Sequence, residues 1–118
     1  MITHNADFLD RTALSQLLFA KCGNNVLIDS SVRLIGVENI SIGNHVRIDA
    51  GAAIDVKGTA LPGVIVGEGA VIGEHSLART SVAPWTIHAG VPARYIRDRS
   101  RDLLALEAEI LRAEGEHG

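Results

Sequence analysis

The chain has 118 residues, a formal net charge of -3 and a pI near 5.9, with 47% hydrophobic but only 3% aromatic residues. This size suits a single domain. The charge excludes a nucleic-acid binder driven by bulk positive potential, and no apolar run approaches the roughly 20 residues that span a bilayer. The apolar mass is Ile, Val, Leu and Ala, which fits thin repeated layers better than a bulky aromatic centre. Twelve Gly against three Pro fit many tight turns.

In chain order, residues 1–23 are expected to form an N-terminal helical segment. The first 20 residues carry Asp7 and Asp10 without a basic start, so they do not read as a secretory signal. A short helix is expected over Asp10–Ala20, with Asp10 as N-cap and Leu14, Leu17 and Leu18 as its buried face. The single Cys22 rules out an internal disulfide and suits a reducing, cytoplasmic setting. It reads as structural, since no activating partner for a nucleophile is recognisable.

Residues 24–90 carry an internal repeat. A small aliphatic residue recurs every six positions at Ile42, Ile48, Ile54, Ala60, Val66, Ile72 and Ala78. Four residues after each lies another small residue: Val46, Ala52, Gly58, Val64, Ala70, Ser76 and Val82. Gly or Asp often follows the first position, as at Gly43, Asp49, Asp55, Gly67 and Gly73, where it is expected to tolerate unusual backbone angles near a turn. The hexad Ile28–Arg33 matches upstream, and Leu34–Ser41 shifts the phase by two residues, as a small loop would.

A period of six fits neither a helix at 3.6 nor an amphipathic strand at 2. It fits short strands joined by sharp turns, three strands of about six residues per triangular coil, with coils stacked to bury their apolar positions. The expected fold is therefore mainly β: a short left-handed parallel β-helix with a helix at each end. The exit segment and C-terminal helix occupy 91–118. Ser100–Ala113 forms the second helix, with Leu103, Leu106, Ile110 and Leu111 as its stripe, and Glu114–Gly118 frays.

Three segments carry a family resemblance. Ile40–Asp49 and Leu61–Ala70 resemble coils of the hexapeptide-repeat acetyltransferases. Ala83-Pro84-Trp85, followed by Ala89-Gly90-Val91-Pro92-Ala93-Arg94, is similar to their exit motif. The sugar and galactoside O-acetyltransferase branch looks most similar. The resemblance implies transfer of acetyl from acetyl-CoA to a saccharide hydroxyl, a homotrimer with the coenzyme between subunits, and a His as general base. The chain departs from the pattern at its centre. Only Ala50–Ala60 joins the two coil segments, where longer relatives keep further coils and their catalytic His. A non-catalytic β-helix trimer, truncated or minimised to a scaffold or a coenzyme groove, is therefore the alternative.

The resemblance also nominates residues. His45, His75 and His88 are the candidate bases. His45 and His75 share the fourth place of their hexads and are expected on different faces. His4 and His117 lie near the chain ends. Coenzyme contacts are implied at Ala78, Arg79 and Thr80, and at Arg94 and Arg97 near the adenosine phosphates, where a guanidinium donates paired hydrogen bonds. The amides of Gly67, Gly73 and Ala78 are expected along the pantetheine arm. Trp85 is expected to pack at the coil end rather than to stack on adenine. No metal is expected, because the close His pair of the β-helix carbonic anhydrases is absent. No phosphate-binding Gly loop or Ser-nucleophile motif occurs.

Overall fold

The computed structural model describes residues 7–56 and 63–102. After a helix α1 (Arg11–Ser15) the chain winds through short strands: β1 (Lys21–Cys22), β2 (Leu27–Ile28), β3 (Arg33–Ile35), β4 (Ile40–Ile42), β5 (Arg47–Ile48), β6 (Ala53–Asp55), β7 (Val64–Val66), β8 (Val71–Ile72) and β9 (Leu77–Ala78). Two longer strands, β10 (Thr86–Ala89) and β11 (Arg94–Asp98), complete it. From β1 to β9 every third strand pairs in parallel, giving sheets β1-β4-β7, β2-β5-β8 and β3-β6-β9; β10 adds to β8 in parallel and β11 to β10 antiparallel. These are the faces of a stacked coil, a β-helix of hexapeptide repeats.

The hexad positions make the core. Ile28, Ile48, Ile54, Val66 and Ile72 are fully buried, and Ile42 and Ala78 nearly so. Like residues lie over like: Ile28 pairs with Ile48 and Ile48 with Ile72, while Ile42 pairs with Val66. The fifth-place residues Val46, Ala52, Val64, Ala70, Ser76 and Val82 are buried as well.

The coil is less regular than the sequence period implies. Cys22 lies over Ile42, a step of 20 residues; Ile42 lies over Val66, a step of 24; and Val66 bridges to Val82, a step of 16. Ile42 thus stacks on Val66 rather than on Ala60, which falls outside the described residues together with Gly58. The phase break is narrower than Leu34–Ser41. β3 and β4 both reach into that stretch, and only a 3-10 turn at Val37–Asn39, entered through Gly36 at φ 80°, separates them.

The ends differ more from expectation. α1 is five residues long and has no buried residue. Asp10 does cap it, its carboxylate accepting from the Ala13 N–H at 2.8 Å. The helix cannot continue to Ala20 because Leu18 turns left-handed at φ 50° and is 77% exposed. Asp29 holds the segment before it. Its carboxylate accepts from the Asp7 N–H and from the Ser31 N–H and hydroxyl. After β10 the chain reverses at Gly90–Ala93 and returns as β11, antiparallel to β10. The sequence reading had no strand there. The expected C-terminal helix lies, from Leu103 on, outside the described residues.

Candidate functional site

The corners of the coil carry the polar side chains. At the corner between the β4 and β5 faces, Asn25, His45, Gly69 and Trp85 follow one another from coil to coil, with φ of 57°, 60°, 70° and 56°. The amides of His45, Gly69 and Trp85 donate to Asn24, Asn44 and Glu68 of the coil below, at 3.0, 2.7 and 2.8 Å. The left-handed conformations therefore fall two residues after the Gly positions that the hexads emphasise. Gly43 and Gly67 do a different job: a Cβ there would lie 2.7 Å from the Glu68 and Pro84 backbone nitrogens of the next coil. They permit close stacking.

Side chains then pack along this column. The Asn25 amide nitrogen lies 2.7 Å from Nδ1 of His45. Trp85 stacks towards the His45 ring, with centroids 6.3 Å apart and planes at 29°. Gly69 makes room for this, since a Cβ would sit 2.3 Å from the indole. Arg99 closes the corner by donating from Nη1 to the carbonyls of His45 at 2.9 Å and Gly69 at 3.0 Å. Arg101 lies 5.4 Å from the Trp85 ring centre. Trp85 is buried, so it packs at the coil end as expected.

The other two candidate histidines sit elsewhere. His75 is exposed at the next corner, between the β8 and β9 faces, with its ring over Gly51. The separation of His45 and His75 onto different faces is as expected. His88 pairs with Ile72 and so occupies the inward column of Ile28, Ile48 and Ile72. Burial there holds its imidazole below the ordinary value. Tyr95 of β11 meets it edge-on at 6.1 Å. The structure does not bring the three histidines to one corner.

Of the coenzyme candidates, Ala78 is buried on β9, and Arg79 and Thr80 are exposed just beyond it. Arg94 and Arg97 are exposed on β11, opposite Ala89 and Ile87. The Gly67 and Gly73 amides are not available for a pantetheine arm, because they donate to Val82 and His88 at 2.9 Å. Among the described residues no group of three His, Cys, Asp or Glu side chains is placed to hold a metal.

A half-open groove of about 450 Å³ runs between the α1 segment and the first coil. Leu9 and Leu14 line one wall and Val26 and Leu27 the other, with Arg11, Asn24 and Asn25 as its polar groups. Cys22 also lines it, with burial pushing the thiol's pKa up. Asn25 and Arg99 were not singled out from the sequence. The signal for Asn25 was present: Gly23-Asn24-Asn25-Val26 repeats as Gly43-Asn44-His45-Val46, one coil apart.

No family model matches the chain. Curated proteins do. It is 35% identical over 85 residues to the dTDP-4-amino-4,6-dideoxy-D-glucose acyltransferase of Escherichia coli, covering 72% of this chain and 41% of that protein. It is 44% identical over 70 residues to a chloramphenicol acetyltransferase of Agrobacterium fabrum, covering 58% and 31%. A putative lipopolysaccharide biosynthesis O-acetyl transferase of Escherichia coli K12 matches at 49% over 39 residues, covering 33% and 20%. The chain thus spans less than half the length of these relatives. Among solved structures, the N-acyltransferase AntD from Bacillus cereus gives a TM-score of 0.44 at 23% identity, covering 93% of this chain and 100% of that one. At that level the superposition adds no weight. By its buried hexads, its parallel coil and its sequence matches, the chain belongs to the hexapeptide-repeat acetyltransferase family, where its matches include sugar acyltransferases.

Proposed function

We propose that the protein is an acyl-CoA-dependent transferase that moves acetyl from acetyl-CoA to a hydroxyl of a sugar or saccharide. The observation that carries this reading is the exit motif. Ala89–Arg94 folds back on the coil as a hairpin, and this lays Arg94 and Arg97 on an exposed outer strand. Two guanidiniums at that position suit the phosphates of a coenzyme lying along the coil edge, with Ala78, Arg79 and Thr80 as further contacts. The groove beside α1 falls within the size range of small-molecule sites and is the candidate acceptor cleft.

Among His45, His75 and His88, the histidine best prepared for chemistry is His45. A side-chain hydrogen bond, an aromatic stack and the Arg99 clamp on its carbonyl all fix it. Its partner Asn25 also lines the groove. A homotrimer with the coenzyme between subunits, and a cytoplasmic setting, belong to the same proposal. Among the described residues no helix is long and apolar enough to cross a membrane.

The second reading is a non-catalytic β-helix. The separation of His45 and His75 onto different corners favours it. Release of free thiol from acetyl-CoA, measured against a panel of hydroxyl and amino sugars, separates the two. The transferase reading expects acceptor-dependent release. Coenzyme binding without release for any acceptor would favour the scaffold.

A further inference from the structure

The groove beside α1 has a charge as well as a size. Leucine and valine side chains form its walls, and its polar groups include Arg11, Ser15 and Asn24. No carboxylate occurs among the described residues that line it, and Arg11 supplies its formal charge. Asp10, next to Arg11 in the chain, is committed to the helix, where its carboxylate accepts from the Ala13 N–H at 2.8 Å. Arg47, in register with Leu27 of the groove wall, is balanced by Asp49 at 2.6 Å. An anion placed here is attracted by Arg11, and an ammonium is repelled by it. The other polar groups suit hydroxyls. Ser15 Oγ donates to the Thr12 carbonyl at 2.7 Å, which leaves its lone pairs to accept. Asn24 is fixed through its backbone, whose N–H donates to Asn44 Oδ1 at 2.7 Å and whose carbonyl accepts from His45 at 3.0 Å. A side-chain amide so placed can both give and take a hydrogen bond.

We propose that the groove binds an acceptor sugar that bears a phosphate, with the phosphate on Arg11, ring hydroxyls on Asn24 and Ser15, and the C–H face of the ring on the apolar walls. This rests on the acceptor-cleft reading above and narrows it. A phosphorylated hydroxyl sugar enters; an amino sugar in its ammonium form does not. Phosphate suits an exposed guanidinium better than a sugar carboxylate does, because its greater charge and three acceptor oxygens compete better with water. A sugar 1-phosphate and a nucleotide-linked sugar share this chemistry, since both carry phosphate beside the ring.

Cys22 locates the test. It is the single cysteine, it is exposed, and it lines the groove. Its alkylation by iodoacetamide in the full chain should be slowed saturably by glucose 1-phosphate or by UDP-glucose; the stronger of the two identifies the form of phosphate preferred. Glucose, glucosamine, glucuronic acid and inorganic phosphate should each protect at least tenfold more weakly. Arg11→Gln should raise the half-protecting concentration about tenfold, and Arg11→Lys should raise it less. α1 has no buried residue, so these variants should keep the wild-type Trp85 emission. The double variant Arg94→Ala, Arg97→Ala should protect as wild type, which separates the groove from the coenzyme strand. Absence of protection by both phosphorylated sugars would overturn the proposal. So would equal protection by any of the four weaker probes, or protection unchanged in Arg11→Gln. If protection is as expected but no acetyl passes from acetyl-CoA to a sugar that protects Cys22, the acyl-transfer reading fails while the groove's ligand stands. If acetyl reaches glucose or glucosamine as readily as their phosphorylated counterparts, acyl transfer stands and this proposal fails.

Discussion

At the residue scale, the corner column is the most constrained part of the molecule. Gly69 combines φ of 70° with an indole where a Cβ would have to go. Gly69→Ala is therefore expected to cost on the order of 2–4 kcal/mol, from backbone strain and displaced packing together. Trp85 is the single Trp, so chemical unfolding followed by its fluorescence measures this directly. An unchanged midpoint would show that the indole does not lie over Gly69. Asp29 makes a second residue-scale case. The Ser31 hydroxyl, then the Ser31 N–H, hold its carboxyl below the usual carboxylate range; burial opposes them and the Asp7 N–H adds to them. A depressed carboxyl contributes stability that is full above the unfolded-state value and is lost as pH falls through the folded value. Asp29→Asn should flatten that acid limb and speed hydrogen exchange at the amides of Asp7 and Ser31, which Asp29 binds.

At the element scale, the exit hairpin matters most. Arg99 ties it to the coil through two carbonyls, and the Arg99 amide donates to Trp85 at 2.7 Å. Arg99→Ala is expected to cost about 1–3 kcal/mol, and to weaken coenzyme binding by loosening the strand that carries Arg94 and Arg97. His88 gives the hairpin a pH dependence. Its imidazole is held below the ordinary value by burial, so stability is full above the free imidazole's value, about 6.5. It falls as pH drops from there towards the folded value. His88→Leu would continue the aliphatic column and should remove that pH dependence, read as unfolding midpoints across pH 5 to 8 in otherwise identical buffers.

The hairpin also shows what the sequence could and could not disclose. Ile42, Ile48, Val66 and Ile72 were legible because each face needs one inward aliphatic residue, and burial enforces the period. His88 was nominated as a candidate base, but its inward place depends on a step of 16 residues from Ile72 that no hexad count provides. β11 was missed because all five of its residues are exposed, so it carries no burial pattern. The His45 corner was legible only in part. Its fourth-place position was visible, but the side-chain contacts along the column join residues from separate coils.

At the scale of the whole molecule, the coil is short, and exposed apolar side chains remain on its outer faces, among them Ile35 at 47% and Ile65 at 51%. Association into a trimer would cover such groups, and sedimentation at micromolar concentration should show a trimeric mass. The proposed coenzyme site lies along the exit strand of this short coil. Titration calorimetry with coenzyme A tests it most directly. The expected result is binding tighter than about 1 mM, equivalent to roughly -4 kcal/mol, weakened at least tenfold in the double variant Arg94→Ala, Arg97→Ala. No heat of binding at millimolar coenzyme A, from protein shown to be folded by its Trp85 emission, would contradict it.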